Sequence, residues 1–340
     1  MTLRGAISGF GEVAARAHIA GWRTRLGVSI VAIHEPVADR RHHALRSIRN
    51  VRVYDDLELM LDGERPDFVD IASPPAFHAA AARMSLEAGA HVLVEKPLCL
   101  GLRDFEELRA TATKRGRVLM CVHNWKHAAP YRMALELIAA GRLGEVRYVA
   151  LERLRTAPAG VSAGGGDRWR VGSESGGGIL VDHGWHVFYL LRSLMRDADP
   201  VAVSAWLGAD ADAPVEDEAD VRVIFPGGRI GSAHLSWRSP ARRTLAVIYG
   251  DEAILEIDGD RVVLTGRSGS SEAVAVVPEA DDSYHSAWFG GVAADFESAI
   301  SKGPDCAVAI ENLAETRTCL ALTLGARESS RRGGGQINIA

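Results

Sequence analysis

The sequence predicts an α/β domain followed by an α+β domain, and three observations carry that prediction. From residue 2 to about 122, short runs rich in Val, Ile and Leu alternate with amphipathic stretches. Beyond about residue 144, strand-like runs follow one another with little helix between them. The first apolar run closes on a glycine-rich turn, Gly9-Phe10-Gly11. The first pattern is that of βαβ units around a doubly wound parallel sheet covered on both faces, and the second that of an open, mostly antiparallel sheet. The expected division is 1–123 and 124–340, in line with about 150 residues per domain.

In the first part, strands are expected at Leu3–Ser8, Val28–Ile33, Val51–Val53, Phe68–Ala72, His91–Val94 and Val118–Val122. Helical periodicity fills 12–22, 37–47, 76–88 and 102–115. In the second part, strands are expected at 146–154, 201–207, 219–225, 229–237, 244–249, 253–257, 261–265 and 273–277. Turn punctuation such as Pro226-Gly227-Gly228 and Asp258-Gly259-Asp260 joins neighbours. Helices at about 129–140, 178–195, 286–301 and 307–329 are expected to cover one face of that sheet. Gly164–Gly166 reads as a mobile loop and Gly333–Gly335 as the start of a loose tail.

Composition narrows the function. Hydrophobic residues make up 47% and charged residues 24% of the chain, which excludes a disordered or fibrous protein. No apolar run reaches the roughly 18 residues of a membrane span. A net charge of -5 and the lack of a basic face argue against nucleic acid as a partner. The acidic cluster Asp210, Asp212, Glu216, Asp217, Glu218 and Asp220 reads as a solvated loop running into a strand. Cys99, Cys121, Cys306 and Cys319 have no metal-site spacing and read as small buried residues. With no secretory leader pattern at the start, a reducing cytoplasm is expected. Only four lysines stand against 35 arginines, so each lysine carries more information than usual.

The turn after the first strand reads Gly9-Phe10-Gly11-Glu12-Val13-Ala14, a G-x-G-x-x-A pattern between strand and helix. In the dinucleotide-binding fingerprint the first Gly permits the tight turn, the second admits the pyrophosphate, and the small third residue keeps helix and strand close. The helix start supplies amide donors for phosphate. Glu35, at the end of the second strand and 21 residues after Ala14, is placed to accept the ribose hydroxyls. Its charge repels a 2′-phosphate, so NAD is favoured over NADP despite the nearby Arg40 and Arg41.

Glu95-Lys96-Pro97 follows the fifth strand, at the edge where open α/β sheets bind ligands. Farther on, Gly176-Gly177-Gly178 precedes Asp182 and His186. A helix starting near Gly178 puts those two at i and i+4 on one face, and the glycines would let its N-terminus approach a cofactor. Such a pair could ligate a metal, but no third ligand of matching spacing is present, and no metal is expected.

With Ala72-Ser73-Pro74-Pro75 and His78, Asn124-Trp125-Lys126 with Pro130, and Trp169-Arg170, these motifs run through nearly the whole chain. In that order they resemble the Gfo/Idh/MocA family of NAD(P)-dependent oxidoreductases. The resemblance implies a Rossmann domain, a sheet domain that binds substrate and mediates association, and a homodimer or homotetramer. It implies Lys96, Asp182 and His186 as the catalytic set. Cofactor contacts are implied for Gly9, Phe10, Gly11, Glu12, Val13, Glu35, Ser73, Pro74, His78, Glu95 and Lys96. A substrate pocket shaped by Asn124, Lys126, Trp169 and Arg170 together with the catalytic set is implied as well.

The expected activity is NAD-dependent oxidation of a secondary alcohol in a sugar, sugar derivative or cyclitol. His186 is the natural base, Lys96 the donor to the reacting oxygen, and Asp182 the group that orients His186 or shares the substrate's hydroxyls. Redox-neutral epimerisation or glycoside cleavage with bound NAD is the alternative, and a sugar or nucleotide sensor a second one. The sequence departs from the family pattern at Tyr189, where many relatives carry an acid, and at Lys126, where arginine is frequent. Both departures bear on which substrate is held, as does segment 156–175. Arg153, Arg155, Arg168 and Arg170 leave room for an acidic sugar.

Overall fold

A computed structural model describes residues 2–159, 168–173, 176–209, 213–276 and 285–339. The expected loop at Gly164–Gly166 lies outside these residues, as do Asp210 and Asp212. The chain divides into two compact units, one of residues 1–127 with 280–316 and one of 128–279 with 317–340.

The first unit holds β1 (Leu3–Ser8), α1 (Ile19–Arg23), β2 (Val28–His34), α2 (Ala38–Ser47), β3 (Arg52–Tyr54), α3 (Leu57–Glu64) and β4 (Phe68–Ile71). It continues through α4 (His78–Glu87), β5 (His91–Val94), α5 (Leu102–Arg115) and β6 (Leu119–Cys121). The six strands pair in parallel in the order β3-β2-β1-β4-β5-β6. That order reverses direction beside β1, and the crevice at such a switch point is where dinucleotides bind. β4 is buried along its whole length, as a central strand covered on both faces must be. α1 is the end of a longer helical stretch whose first part, Ala14–His18, is a π-turn.

The second unit holds α6 (Ala129–Ala139), β7 (Val146–Leu154), α7 (Trp185–Leu194), β8 (Ala202–Gly208), β9 (Glu218–Ile224), β10 (Ile230–Ser236) and β11 (Arg243–Gly250). β12 (Ala253–Asp258), β13 (Arg261–Gly266) and β14 (Ser271–Val274) follow. The chain closes with α8 (Ser286–Lys302) in the first unit, α9 (Ala307–Arg331), and β15 (Ile337–Asn338). The second sheet runs β14-β13-β12-β11-β7-β10-β9-β8-β15, and among the described residues only its β7–β10 pair is parallel. One face alternates buried with exposed positions along β9 and β12, the pattern of an antiparallel sheet with one covered side.

Three expectations need correction. Helix 286–301 was expected to cover the second sheet, but α8 packs on the first unit, where Phe289 and Phe296 join Trp22 and Phe68. An amphipathic helix declares that it has an apolar face and not which sheet will receive it. The tail after Gly335 is anchored, because Ile337 and Asn338 add a strand beside β8. The acidic stretch is ion-paired: Arg327 holds Glu216 at 2.8 Å, and Arg238 reaches Asp217 at 3.3 Å and also binds Glu218. The four cysteines are free thiols, three of them buried.

Aromatic rings lock α8 to the first sheet. Phe68 and Phe296 meet edge to face at 5.7 Å, and Trp22 tilts against Phe68 at 4.7 Å. Phe296 is fully buried, so Phe296→Ala should cost about 3 to 5 kcal/mol. A urea titration of the variant checks this, with the midpoint lowered and the slope unchanged.

Candidate active site

Three turns at the carboxyl edge of the parallel sheet hold most of the residues singled out for a cofactor. Gly9 follows β1 with φ +93°, a conformation that excludes most L-residues, and a Cβ there would fall 2.5 Å from the Ser73 nitrogen. The Gly9 turn and the Ser73-Pro74 turn after β4 are thus pressed backbone to backbone. At Gly11 a Cβ would meet nothing within 4 Å, so the loop is open on the side where a pyrophosphate must approach. Ser73 Oγ is buried without a hydrogen-bond partner among the described residues. An open glycine beside an orphaned hydroxyl fits a phosphate-bearing cofactor such as NAD.

Glu35 is almost fully buried, and both its oxygens accept backbone bonds: from Phe10 N–H at 2.7 Å and from Val37 N–H at 2.9 Å. The carboxylate therefore braces the fingerprint turn against the end of β2. It keeps further lone pairs for other donors. Arg41, considered as a counter-charge for a 2′-phosphate, spends its Nη1 on the carbonyls of Glu35 and Pro36. Glu12 pairs with Arg16 on the exposed side of the same helical stretch.

His78 is fully buried and clamps two turns together. Its Nδ1 lies 2.7 Å from the Pro97 carbonyl and its Nε2 2.6 Å from that of Ser73. Burial lowers its pKa, against the opposing pull of the Pro97 and Ser73 carbonyls. Lys96 opens the turn after β5, joined to Pro97 by a cis peptide. Its N–H donates to Glu95 Oε2 at 2.9 Å.

Behind Glu95 lies a cluster that no sequence motif marks. His18, at the end of the π-turn, has Nδ1 2.9 Å from Asp70 Oδ2 and Nε2 3.1 Å from Glu95 Oε1. Trp22 Nε1 donates to the same Asp70 oxygen at 2.7 Å. Burial alone would lower the His18 pKa, but the charge and hydrogen bond of Asp70, then those of Glu95, raise it to about 9. Burial would likewise raise Glu95, and the bond and charge of His18, with the charge of Lys96, bring it below the usual range. A signal was present in the sequence: Asp70 is a charge inside an otherwise apolar, fully buried strand, which demands a partner.

Residues after β6 form a second buried cluster. Glu315 of α9 accepts from His123 Nδ1 at 2.9 Å and pairs with Lys126 Nζ. Burial opposes its ionisation, yet Lys126 and then His123 hold it down to about 2. Burial lowers the His123 pKa, against the opposing bond and charge of Glu315. Asn312 doubles with the Cys121 backbone at 2.7 and 2.9 Å. Lys126 is thereby committed to Glu315, while Asn124 Oδ1 is buried without a partner among the described residues.

In the second unit, Asp182 lies in a π-turn, Leu180–Gly184, and α7 begins only at Trp185. π-turns concentrate at functional sites. Arg170 Nε donates to Asp182 Oδ1 at 3.1 Å, and its guanidinium lies 4.5 Å over the Trp169 ring. His186 Nδ1 lies 2.9 Å from the Tyr189 hydroxyl, so the residue that departs from the family pattern lies at the imidazole. The role expected for Gly176–Gly178 needs correction. A Cβ at Gly177 would strike the Arg170 carbonyl at 2.4 Å, and one at Gly178, where φ is +108°, the Glu216 carboxylate at 2.3 Å. These glycines admit the unit's own chain. Arg153 is buried against Tyr131, and Arg155 binds the carbonyls of Leu154 and Arg243. Arg153, Arg155 and Arg170, three of the four arginines considered for an acidic substrate, are thus engaged within the unit, and the Arg168 side chain lies outside the described residues.

Residues 3–123 match the family described as "Oxidoreductase family, NAD-binding Rossmann fold", and residues 131–256 match the "GFO/IDH/MocA C-terminal domain". The chain belongs to the Gfo/Idh/MocA family of NAD-binding oxidoreductases. It is similar to D-glucoside 3-dehydrogenase of Escherichia coli, with 32% identity over 54% of this chain and 52% of that protein. D-apiose dehydrogenase of Paraburkholderia graminis is 26% identical over 81% of this chain and 73% of its own length. The chain spans about half the length of the first curated relatives it matches. An inositol dehydrogenase homolog from Azotobacter vinelandii, complexed with NAD+, shares the fold with a TM-score of 0.85 at 21% identity, over 99% of this chain and 97% of that one. Among the described residues no helix is long and apolar enough to cross a membrane.

The raised His18 pKa sets an expected pH dependence. A group whose pKa is higher folded than unfolded stabilises fully below its unfolded value and loses that contribution as pH rises through the folded value. Stability should therefore fall between about pH 6.5 and about 9. Thermal melts across this window check it: Asp70→Asn should lower Tm at pH 7 and flatten the decline.

Proposed function

We propose that the protein is an NAD-dependent dehydrogenase that oxidises a secondary alcohol of a sugar, sugar derivative or cyclitol. The observation that carries this reading is Lys96 at the carboxyl end of β5, in the same row of turns as Gly9–Val13 and Ser73-Pro74. Bound NAD would supply the hydride acceptor. Gly9 to Val13, Ser73 and Pro74 would hold its phosphates, and Glu35 its ribose hydroxyls. His78 would act on the cofactor indirectly, by fixing the turns that bear Ser73 and Lys96.

In this reading Lys96 donates to the reacting oxygen and stabilises the negative charge that develops there. His186 takes the hydroxyl proton at Nε2, because Nδ1 faces Tyr189. Asp182, held by Arg170, receives substrate hydroxyls. Asn124, Trp169 and Arg170 would contact the substrate, and Lys126, braced by Glu315, would offer it a point charge. The names of the relatives support sugars and cyclitols as the substrate class. Four free thiols support a reducing, cytoplasmic compartment. The outer face of the second sheet, bearing Trp206, Tyr148 and Tyr249, supports a homodimer or homotetramer built through that face.

Absorbance at 340 nm with NAD, and separately NADP, over hexoses, glycosides, uronic acids and inositols tests the activity. A rise with at least one substrate is expected, and Lys96→Met should cut turnover by about a hundredfold or more with NAD affinity kept. NAD binding without any net reduction would move the assignment to redox-neutral chemistry.

Cofactor choice has its own test. Glu35→Ser removes a charged acceptor, so NAD should bind about tenfold or more weakly. Its preference over NADP should narrow as well, read by titrating both cofactors against tryptophan fluorescence. An unmoved preference ratio would show that Glu35 serves the turn alone.

A further inference from the structure

We propose that His18 and Asp70 are positioning residues for Lys96, acting through the Glu95 carboxylate. The inference rests on the role of Lys96 given above and extends it to two residues buried beneath that lysine's turn. The four groups form a chain of alternating charge: Asp70, His18, Glu95, Lys96. Both imidazole nitrogens of His18 lie within hydrogen-bond distance of carboxylate oxygens, at 2.9 and 3.1 Å. A carboxylate only accepts, so both nitrogens must donate, and only the imidazolium donates from both. The ring is thus a fixed cation between two fixed anions.

The surroundings hold that cation in place. Phe289 stacks on the ring with centroids 3.8 Å apart and planes 16° from parallel. Trp22 donates to the Asp70 oxygen that also serves His18. The π-turn Ala14–His18, which opens the helical stretch leaving the fingerprint turn, carries His18 to the buried side. His18 and Asp70 are wholly excluded from solvent. Burying such a set carries a heavy desolvation cost, and apolar residues of similar volume often serve stability as well or better. Stability alone is therefore a poor account of it.

What the set does is divide the Glu95 carboxylate. Oε1 is held by His18 and Oε2 by the Lys96 N–H at 2.9 Å. With both oxygens engaged, the carboxylate stays in one orientation and fixes the backbone from which the Lys96 side chain springs. Without His18, Oε1 loses its donor, and the carboxylate can turn away from the Lys96 N–H that Oε2 holds. The backbone that carries the Lys96 side chain would then lose its brace. The other ionisable groups that feel this centre are His78, on the Pro97 side, and His123 and Cys121, at the end of β6.

The test uses His18→Gln and Asp70→Asn, with Trp22→Phe as a milder variant whose fold is easily kept. With only four lysines, reductive 13C-methylation gives a resolved spectrum in which Lys96 is identified by its absence from Lys96→Met. The Lys96 signal should move in all three variants, least in Trp22→Phe, while those of Lys114 and Lys302 stay fixed. Turnover should fall about ten- to a hundredfold in His18→Gln, with KM and NAD affinity changed by no more than about threefold. In a Glu95→Gln background the same substitution should cost about threefold or less, because the route through the carboxylate is already cut. A lower Tm with an unmoved Lys96 signal would overturn the proposal and leave a purely structural ion cluster. The lysine spectrum needs no substrate. If Lys96→Met keeps full turnover while the signal shifts as expected, it is the catalytic reading of Lys96 that falls.

Discussion

A parallel sheet covered on both faces leaves one place for charge, its carboxyl edge, and the first unit is organised by that constraint. The stretches Gly5–Ile7 of β1, Phe68–Ile71 of β4 and Val92–Val94 of β5 are apolar apart from Asp70, and polar chemistry is gathered in the turns that follow. The turns are bound to one another and not only to the strands. Gly9 is pressed on Ser73, Glu35 braces Phe10, and His78 ties Ser73 to Pro97. The glycine fingerprint turn and the Lys96-Pro97 turn are therefore one bonded object, and a change in either is felt in the other.

Two buried charge clusters of this unit share one construction. His18 lies between Asp70 and Glu95, and Glu315 lies between His123 and Lys126. In each case a group at the centre has both its polar atoms taken by opposite or complementary partners, which makes burial tolerable. In each case the outermost member is a lysine, one of only four in the chain. A lysine at the end of a fixed chain of charge has a defined place, which its flexible stem alone would not supply.

Much of this was legible beforehand, for physical reasons that differ by residue. Strands of Val, Ile and Leu bounded by turns are forced by burial on both faces, so the parallel order could be anticipated from local pattern. The fingerprint was legible because Gly9 and Gly11 satisfy steric demands that few residues meet. His18 was hidden because a histidine on the apolar side of a helix looks like any core residue until its partner 52 residues away is known. Gly176–Gly178 misled, because a small residue reports that something comes close without reporting what. The π-turns at 14–18 and 180–184 leave no mark in an apolar periodicity averaged over a whole helix. Where α8 docks depends on which aromatic socket it meets, and that is a property of the folded unit.

That docking has a consequence for how the molecule can be taken apart. The first unit is discontinuous: residues 128–279 are spliced between β6 and α8, and the returning chain supplies Phe289 and Phe296 to a core begun by Trp22 and Phe68. A fragment ending near residue 123 would contain every strand of the parallel sheet and the whole glycine fingerprint, yet would bare the aromatic socket that α8 fills. Such a fragment carries a ready-made adhesive patch. The nucleotide-binding module of this chain is better regarded as a frame around an insert than as a detachable front half. A graft that respects it must keep both ends of the frame.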